Sequence, residues 1–295
     1  MISFSTLGGW LARGFYLTLY GFFAALPIDA ASAVGGWIGR RLGPKLGVQK
    51  IARRNLTMIY PEKSAAEVSA IMAEMWDNLG RVMGEFPHLG RMDLYNDPRF
   101  TIEGAEHIDA MRKSGKPGIF FTPHLGNWEL SAHAVIQRGD WTAPLAIVYR
   151  AANDPSAEWL LQFGRRGLKA EMIAKGTGGA RRIVEVLRAG GFIGMLPDQK
   201  MNDGISVPFF GRPAMTASAF AQLALKFDCV LLPGYVQRVE GARFHIVVEP
   251  PMALPNSGDR KADMIALTAE INARMEEWIR GRPGQWLWVH RRWPD

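Results

Sequence analysis

An α/β fold with a mixed, largely parallel sheet flanked by helices is predicted by three observations. Short apolar runs alternate with segments of about ten residues whose apolar positions recur at helical spacing. Glycine and proline punctuate the boundaries, as Pro117 and Pro123 do around the run 118–122. The composition, 48% hydrophobic and 21% charged over 295 residues, supplies a core and excludes disorder, collagen, coiled coil and a multi-span membrane protein. Strands separated by such helices build a sheet buried on both faces.

The elements follow in chain order. Ala65–Glu85 has apolar residues at helical spacing, with Ser64 as its N-cap. Pro87 and the turn Asn96-Asp97-Pro98 break that pattern. Strands are predicted at Phe100–Glu103, 118–122, Leu145–Tyr149, 192–196, 230–236 and 244–249. Helices are predicted at 106–114, 128–137, 156–163, 180–189, 216–227 and 259–279. No internal repeat or linker follows residue 60, so residues 61–295 read as one catalytic domain behind an N-terminal segment, 1–60.

That segment carries most of the charge. Arg13, Arg40, Arg41, Lys45, Lys50, Arg53 and Arg54 stand against one acid, Asp29, so six of the net +7 lie in residues 1–60. Residues 14–28 (GFYLTLYGFFAALPI) are uncharged and aromatic-rich. As a helix they span about 22 Å, short of a hydrocarbon core of about 30 Å. Adding the residues back to Met1 gives the length but buries Arg13. Three readings are open: a signal peptide cleaved near Ala31-Ser32-Ala33, a buried amphipathic helix, or a membrane anchor, spanning or lying in the interface, with a basic cytoplasmic flank. The anchor is favoured, because Arg40 to Arg54 would oppose translocation. A nucleic-acid partner is disfavoured, since the remainder is nearly neutral and carries no nucleic-acid-binding signature. Cys229 is the single cysteine, which excludes an internal disulfide and a cysteine zinc site.

The chemistry-bearing segment is FFTPHLGNWEL, at the end of the first strong strand. His124 lies in the turn after Pro123, and Glu129 in the first turn of the next helix. Loops at the C-terminal edge of such a sheet are where sites are built. A carboxylate can hold one imidazole nitrogen protonated and leave the other to take a proton. The spacing alone leaves a surface histidine with a capping glutamate as the other reading. No serine or cysteine occupies a nucleophile elbow, which argues for direct transfer to a substrate hydroxyl.

The segment His124-Leu125-Gly126-Asn127-Trp128-Glu129 resembles the H-x4-D/E motif of glycerolipid acyltransferases. Further blocks resemble the late acyltransferases of lipid A biosynthesis, the lauroyl and myristoyl transferases. They are Val148-Tyr149-Arg150 with Asn153-Asp154-Pro155 and a closing Arg165, the Pro-Asp block Gly194 to Gln199, Val207-Pro208-Phe209-Phe210-Gly211, and the terminal Gln285 to Trp293. Ala151 departs from the proline that many members carry.

The resemblance implies a glycerolipid acyltransferase-like sheet and an acyltransferase that moves groups other than aminoacyl groups. It implies His124 and Glu129 as the catalytic pair, His124 the general base oriented by Glu129, with Arg165 and Asp198 also catalytic. It implies substrate contacts from Asn127, Tyr149, Arg150, Gly211, His290, Arg291 and Arg292. The donor would be an acyl–acyl carrier protein, a co-substrate rather than a cofactor, and the acceptor a hydroxyl on a 3-hydroxyacyl chain of a lipid A precursor. Membrane phospholipid would be a further partner, no metal is expected, and the location would be the cell inner membrane with the catalytic domain on the cytoplasmic face. Beside these stand plainer readings: Arg165 complementing a helix C-terminus, Asp198 in an Asx-turn, the tryptophans as core or interfacial belt, and His290 to Arg292 as a basic tail. The alternatives for the whole chain are a transferase acting on another glycolipid or aminolipid, or a non-catalytic membrane-associated lipid-binding protein.

Overall fold

The computed structural model describes residues 4–293; Met1 to Ser3 of the N-terminal segment and Pro294 and Asp295 of the catalytic segment lie outside the described residues. Three helices come first: α1 (Phe4–Ala25), α2 (Ile28–Leu42) and α3 (Gln49–Ile59). The apolar run 14–28 is therefore not one element. Helix α1 stops at Ala25, and Pro27, which fixes its own φ and has no N–H to continue a helix, is the N-cap of α2. The expectation of a membrane-anchoring helix, and of the inner-membrane location derived from it, is overturned. No helix of the described residues is long and apolar enough to cross a membrane. Glycines, Thr18, Tyr16, Tyr20 and Arg13 dilute the Leu and Phe content of α1, and its C-terminal part packs on protein. Tyr20 meets Phe163 edge-on at 5.3 Å, and His88 Nε2 lies 2.9 Å from the carbonyl of Phe23.

Helix α4 (Ala65–Glu85) has the predicted bounds. Ser64 caps it and Glu67 reaches back to the Ser64 N–H, a reciprocal capping box. Helices α2 and α4 pack with backbones in direct apposition, because Gly35 and Gly80 face each other and a Cβ on either would strike the other's carbonyl. Ala31 and Ser32 are fully buried in that contact.

The main sheet has seven strands: β1 (Phe100–Glu103), β2 (Gly118–Phe121), β3 (Leu145–Tyr149), β4 (Glu171–Ala174), β5 (Phe192–Met195), β8 (Val230–Glu240) and β9 (Arg243–Val248). Their order is β1-β9-β8-β2-β5-β3-β4. Every pairing is parallel except the β8–β9 hairpin. The expectation of a mixed, largely parallel sheet flanked by helices holds. The flanking helices are α5 (Ala105–Lys113), α6 (Glu129–Gln137), α7 (Pro155–Arg165), α8 (Thr177–Arg188), α9 (Ala219–Phe227) and α10 (Arg260–Gly281).

Strand β4 and the separate hairpin β6 (Ile205–Phe209) and β7 (Arg212–Thr216) are additions to the sequence reading. The hairpin's two-residue loop, Phe210-Gly211, has positive φ at both positions (53° and 69°), the backbone that tight hairpin turns require. Trp286, Trp288 and Trp293 lie in the core against Phe209 and Phe210, which decides between core and interfacial belt. Trp286 makes a single antiparallel bridge to Leu125 rather than a strand.

Candidate active site

Three neighbouring parallel strands end on one edge, and each supplies a side chain. Phe121 of β2 is in register with Met195 of β5. His124 and Asp198 follow those two residues at the same offset, so the sheet sets them side by side. Tyr149 closes β3 on the far side of β5.

His124 Nδ1 donates to Asp198 Oδ1 at 2.8 Å, and the His124 backbone N–H donates to Oδ2 at 2.9 Å. Trp286 Nε1 donates to the same Oδ2 at 2.8 Å. Burial (Asp198 is 1% exposed) would push this carboxyl up. The adjoining imidazole and the hydrogen bonds from His124 and Trp286 outweigh it and hold the group well below the usual carboxylate range. With Nδ1–H engaged, the Nε2 lone pair of the neutral ring is presented to the cleft. Trp128 packs edge-on to the imidazole at 5.1 Å.

The carboxylate that meets the His124 ring is therefore Asp198, and the predicted orienting role of Glu129 is corrected. Glu129 opens α6, and its two oxygens are taken by Arg165 from the end of α7: Nε donates to Oε2 at 3.0 Å and Nη2 to Oε1. Strand adjacency, not spacing along the chain, selects the imidazole's partner. Burial raises the Glu129 carboxyl, but the Arg165 charge and hydrogen bonds lower it further, so it stays ionised. Arg165 is not simply a helix-end charge, since it is buried and spent on Glu129.

These groups face a cleft of about 340 Å3. His124, Glu129, Tyr149, Arg150, Arg165 and His290 all line it, with Ile147, Leu161 and Met172 among its apolar walls. Tyr149 donates its hydroxyl to Glu158 at 2.7 Å. Gln199 lies between His124 and His290, its Nε2 at 3.2 Å and 2.9 Å from their Nε2 atoms. Burial, then the neighbouring His124, lowers the His290 imidazole.

Four predicted contacts lie elsewhere. Asn127 is fully buried and donates to Glu85 Oε2 at 2.8 Å. The same carboxylate pairs with buried Arg238 and accepts from Ser32 at 2.6 Å. Gly211 serves the hairpin turn, outside the cleft. Arg291 is exposed and does not line it. Arg292 points inward, 1% exposed, donating to the Met215 carbonyl at 2.8 Å and to Thr216 Oγ1 at 2.7 Å. An arginine engaged by protein acceptors in the core does not reach lipid phosphates.

Gln199, Lys175 and Trp128 line the cleft without having been singled out. Gln199 had a signal, its place next to Asp198. Lys175 follows β4, so missing that strand hid it.

The peptide between His124 and Glu129 is held from behind. Asn78 of α4 donates to the Gly126 carbonyl at 2.9 Å, and the Gly126 N–H donates to the Gln285 carbonyl at 3.1 Å. Gly126 has φ +59°, and a Cβ there would strike the Val236 carbonyl.

The family described as bacterial lipid A biosynthesis acyltransferase matches residues 2–295. The chain is 26% identical over 292 residues to a lipid A biosynthesis palmitoleoyltransferase of Escherichia coli, covering 94% of this chain and 91% of the relative. It is 27% identical over 260 residues to the lipid A biosynthesis myristoyltransferase of Escherichia coli, covering 85% and 77%. A phosphatidylinositol mannoside acyltransferase of Mycobacterium tuberculosis is 24% identical over 264 residues, covering 86% and 80%. A match across essentially the whole length, over a histidine–carboxylate pair at a parallel sheet edge, places the chain in the bacterial lipid A biosynthesis acyltransferase family, and the protein is an acyltransferase.

Proposed function

We propose that this protein transfers a fatty acyl chain from an acyl carrier protein thioester to a hydroxyl of a 3-hydroxyacyl chain on a lipid A precursor, with His124 as general base. The observation that carries the reading is the His124–Asp198 pair, in which the carboxylate engages Nδ1 and the ring lines the cleft.

The acceptor hydroxyl gives its proton to Nε2 and its oxygen attacks the thioester carbon. The carbon–sulfur bond then breaks, and the leaving thiolate takes the proton from His124. Asp198 stabilises the imidazolium between those events. Glu129, Arg165, Tyr149 and Arg150 line the cleft, with the Arg165 guanidinium over the Tyr149 ring at 5.8 Å. Direct transfer needs no protein nucleophile. Cys229 suits no such role, because burial pushes its thiol up to about 12.

The test is product mass after incubation with acyl carrier protein thioesters of defined chain length and a lipid A precursor. A phosphatidylinositol mannoside serves as the second acceptor, because a relative bears that name. The expected product is the lipid A precursor heavier by one acyl group, formed by the wild type and not by His124→Ala. Transfer by His124→Ala at the wild-type rate would overturn the site, and acylation of the mannoside alone would overturn the acceptor.

A further inference from the structure

Gln199 follows Asp198 directly and places its amide nitrogen between two imidazoles, 3.2 Å from His124 Nε2 and 2.9 Å from His290 Nε2. A side-chain amide nitrogen carries two hydrogens, so one N–H donates to each ring. The far side of His124 enforces this orientation. Its Nδ1 faces the Asp198 carboxylate, which only an Nδ1–H satisfies, so Nε2 of the neutral ring is a lone pair. An amide oxygen turned toward that lone pair would repel it.

A hydroxyl that gives its proton to His124 must come within hydrogen-bond distance of Nε2. The Gln199 nitrogen holds that position now. Arrival of the hydroxyl releases one N–H of the amide, while the other remains on His290. The released N–H then lies beside the carbon under attack, where the thioester oxygen gains negative charge. Backbone donors at the N-terminus of α6 are the other source of stabilisation near this point, but Gln199 is the side-chain donor already in contact with the base.

We propose that Gln199 is a catalytic residue that donates an N–H to the thioester oxyanion, and that His290 is a positioning residue that holds the amide through its second N–H. The proposal rests on the acyl-transfer reading above. As the carbon–oxygen bond forms, the hydroxyl proton passes to His124 and the carbonyl π pair moves onto the oxygen that Gln199 binds. Collapse restores the carbonyl, breaks the carbon–sulfur bond and returns the proton to the thiolate. The amide is unchanged over the cycle.

The test measures kcat, KM and pH–rate profiles for transfer and for thioester hydrolysis, with the fold checked by circular dichroism. Gln199→Met removes the donor at similar length, and kcat should fall by about 10²–10³ with KM changed less than threefold. Gln199→Glu should lose a similar factor and move the acid limb to higher pH, because an anionic carboxylate beside Nε2 favours the imidazolium. His290→Phe should cost about tenfold in kcat, partly restored by His290→Asn, whose Oδ1 can accept from the amide. Gln199→Met and Gln199→Glu both folded and both within threefold of wild-type kcat, while His124→Ala is inactive, would overturn the assignment and leave the acyl-transfer reading standing. A wild-type chain that neither transfers nor hydrolyses any thioester would overturn both.

Discussion

Asp198 holds His124 at two points, accepting from the ring Nδ1–H on one oxygen and from the backbone N–H on the other. The backbone bond fixes where the residue stands, and the ring bond fixes its tautomer. Replacing Asp198 with Asn keeps the shape and removes the charge that stabilises the imidazolium. Transfer should fall by about 10³–10⁴ in kcat, the scale seen when a triad aspartate is neutralised. Steady-state kinetics on Asp198→Asn checks this, and a loss below tenfold would mean that another group orients the ring.

Glu129 and Arg165 form a buried pair, with side chains 11% and 14% exposed. Removing one partner leaves a charge in a poorly solvated site, so Arg165→Met should destabilise the fold by about 3–5 kcal/mol. The double variant Glu129→Gln/Arg165→Met should recover most of that stability without recovering transfer. Urea melts of the single and double variants give the coupling directly. Additive losses would show that the pair is not coupled.

The network behind the catalytic loop predicts a different signature. Asn127 donates to Glu85, whose two oxygens also receive Arg238. Asn127→Ala removes a hydrogen bond to a charged group, a loss of about 1.5–3 kcal/mol. Asn127→Asp sets two carboxylates together in the core and should be much worse. Thermal unfolding of both variants, with substrate KM measured on Asn127→Ala, separates this scaffold role from the substrate contact expected from the sequence.

His133 makes stability depend on pH. Burial, foremost, pushes its imidazole from 6.5 down to about 4; Glu129 opposes this, and the Arg165 charge adds a smaller downward push. Between those values the unfolded chain binds a proton that the folded chain does not. Stability is therefore full above about pH 6.5 and declines as pH falls toward 4, by about 3 kcal/mol in total. His133→Gln should flatten this part of the curve. Urea melts at pH 7 and pH 5 suffice, and an equal drop in both proteins would assign the effect to other groups.

The terminal arginines divide cleanly. Arg291→Ala should leave stability within about 0.5 kcal/mol, as exposed sites do. Arg292→Ala removes a buried guanidinium whose pKa burial has lowered to about 10, together with its hydrogen bonds to the Met215 carbonyl and the Thr216 hydroxyl. A loss of about 3 kcal/mol or more is expected for it. Equal melting temperatures for the two variants would contradict the inward placement.

Elements whose signals are local were legible from sequence. The capping box at Ser64 and Glu67 marks the start of α4, and the run Leu145–Tyr149 is buried enough to declare itself a strand. Strand β4, with only Ile173 of its four residues buried, was not identified from the sequence. The site was half visible: the resemblance of its motif blocks to a known family brought out His124, Glu129, Arg165 and Asp198, but not who pairs with whom. That pairing is decided by β2 and β5 lying side by side, a contact between segments far apart in the chain. Arg292 was misread for a related reason, since its acceptors belong to β7, which was not recognised as a strand. The apolar run 14–28 looked continuous because hydropathy does not register the break that Pro27 imposes.

The segment from Gln285 to Trp293 touches nearly every part of the site: the Gly126 N–H, Asp198 through Trp286, and Gln199 through His290. Ribosomal synthesis is vectorial, so His124 and Asp198 leave the ribosome well before this segment exists. At about 5–20 residues per second, the interval between translation of Gln199 and of Trp293 is about 5–20 s. During that time the nascent chain has its base and its carboxylate but not the tryptophan and histidine that set them. Competence to react thus arrives in one late step, and a message truncated after α10 would encode all seven strands of the main sheet and no working enzyme.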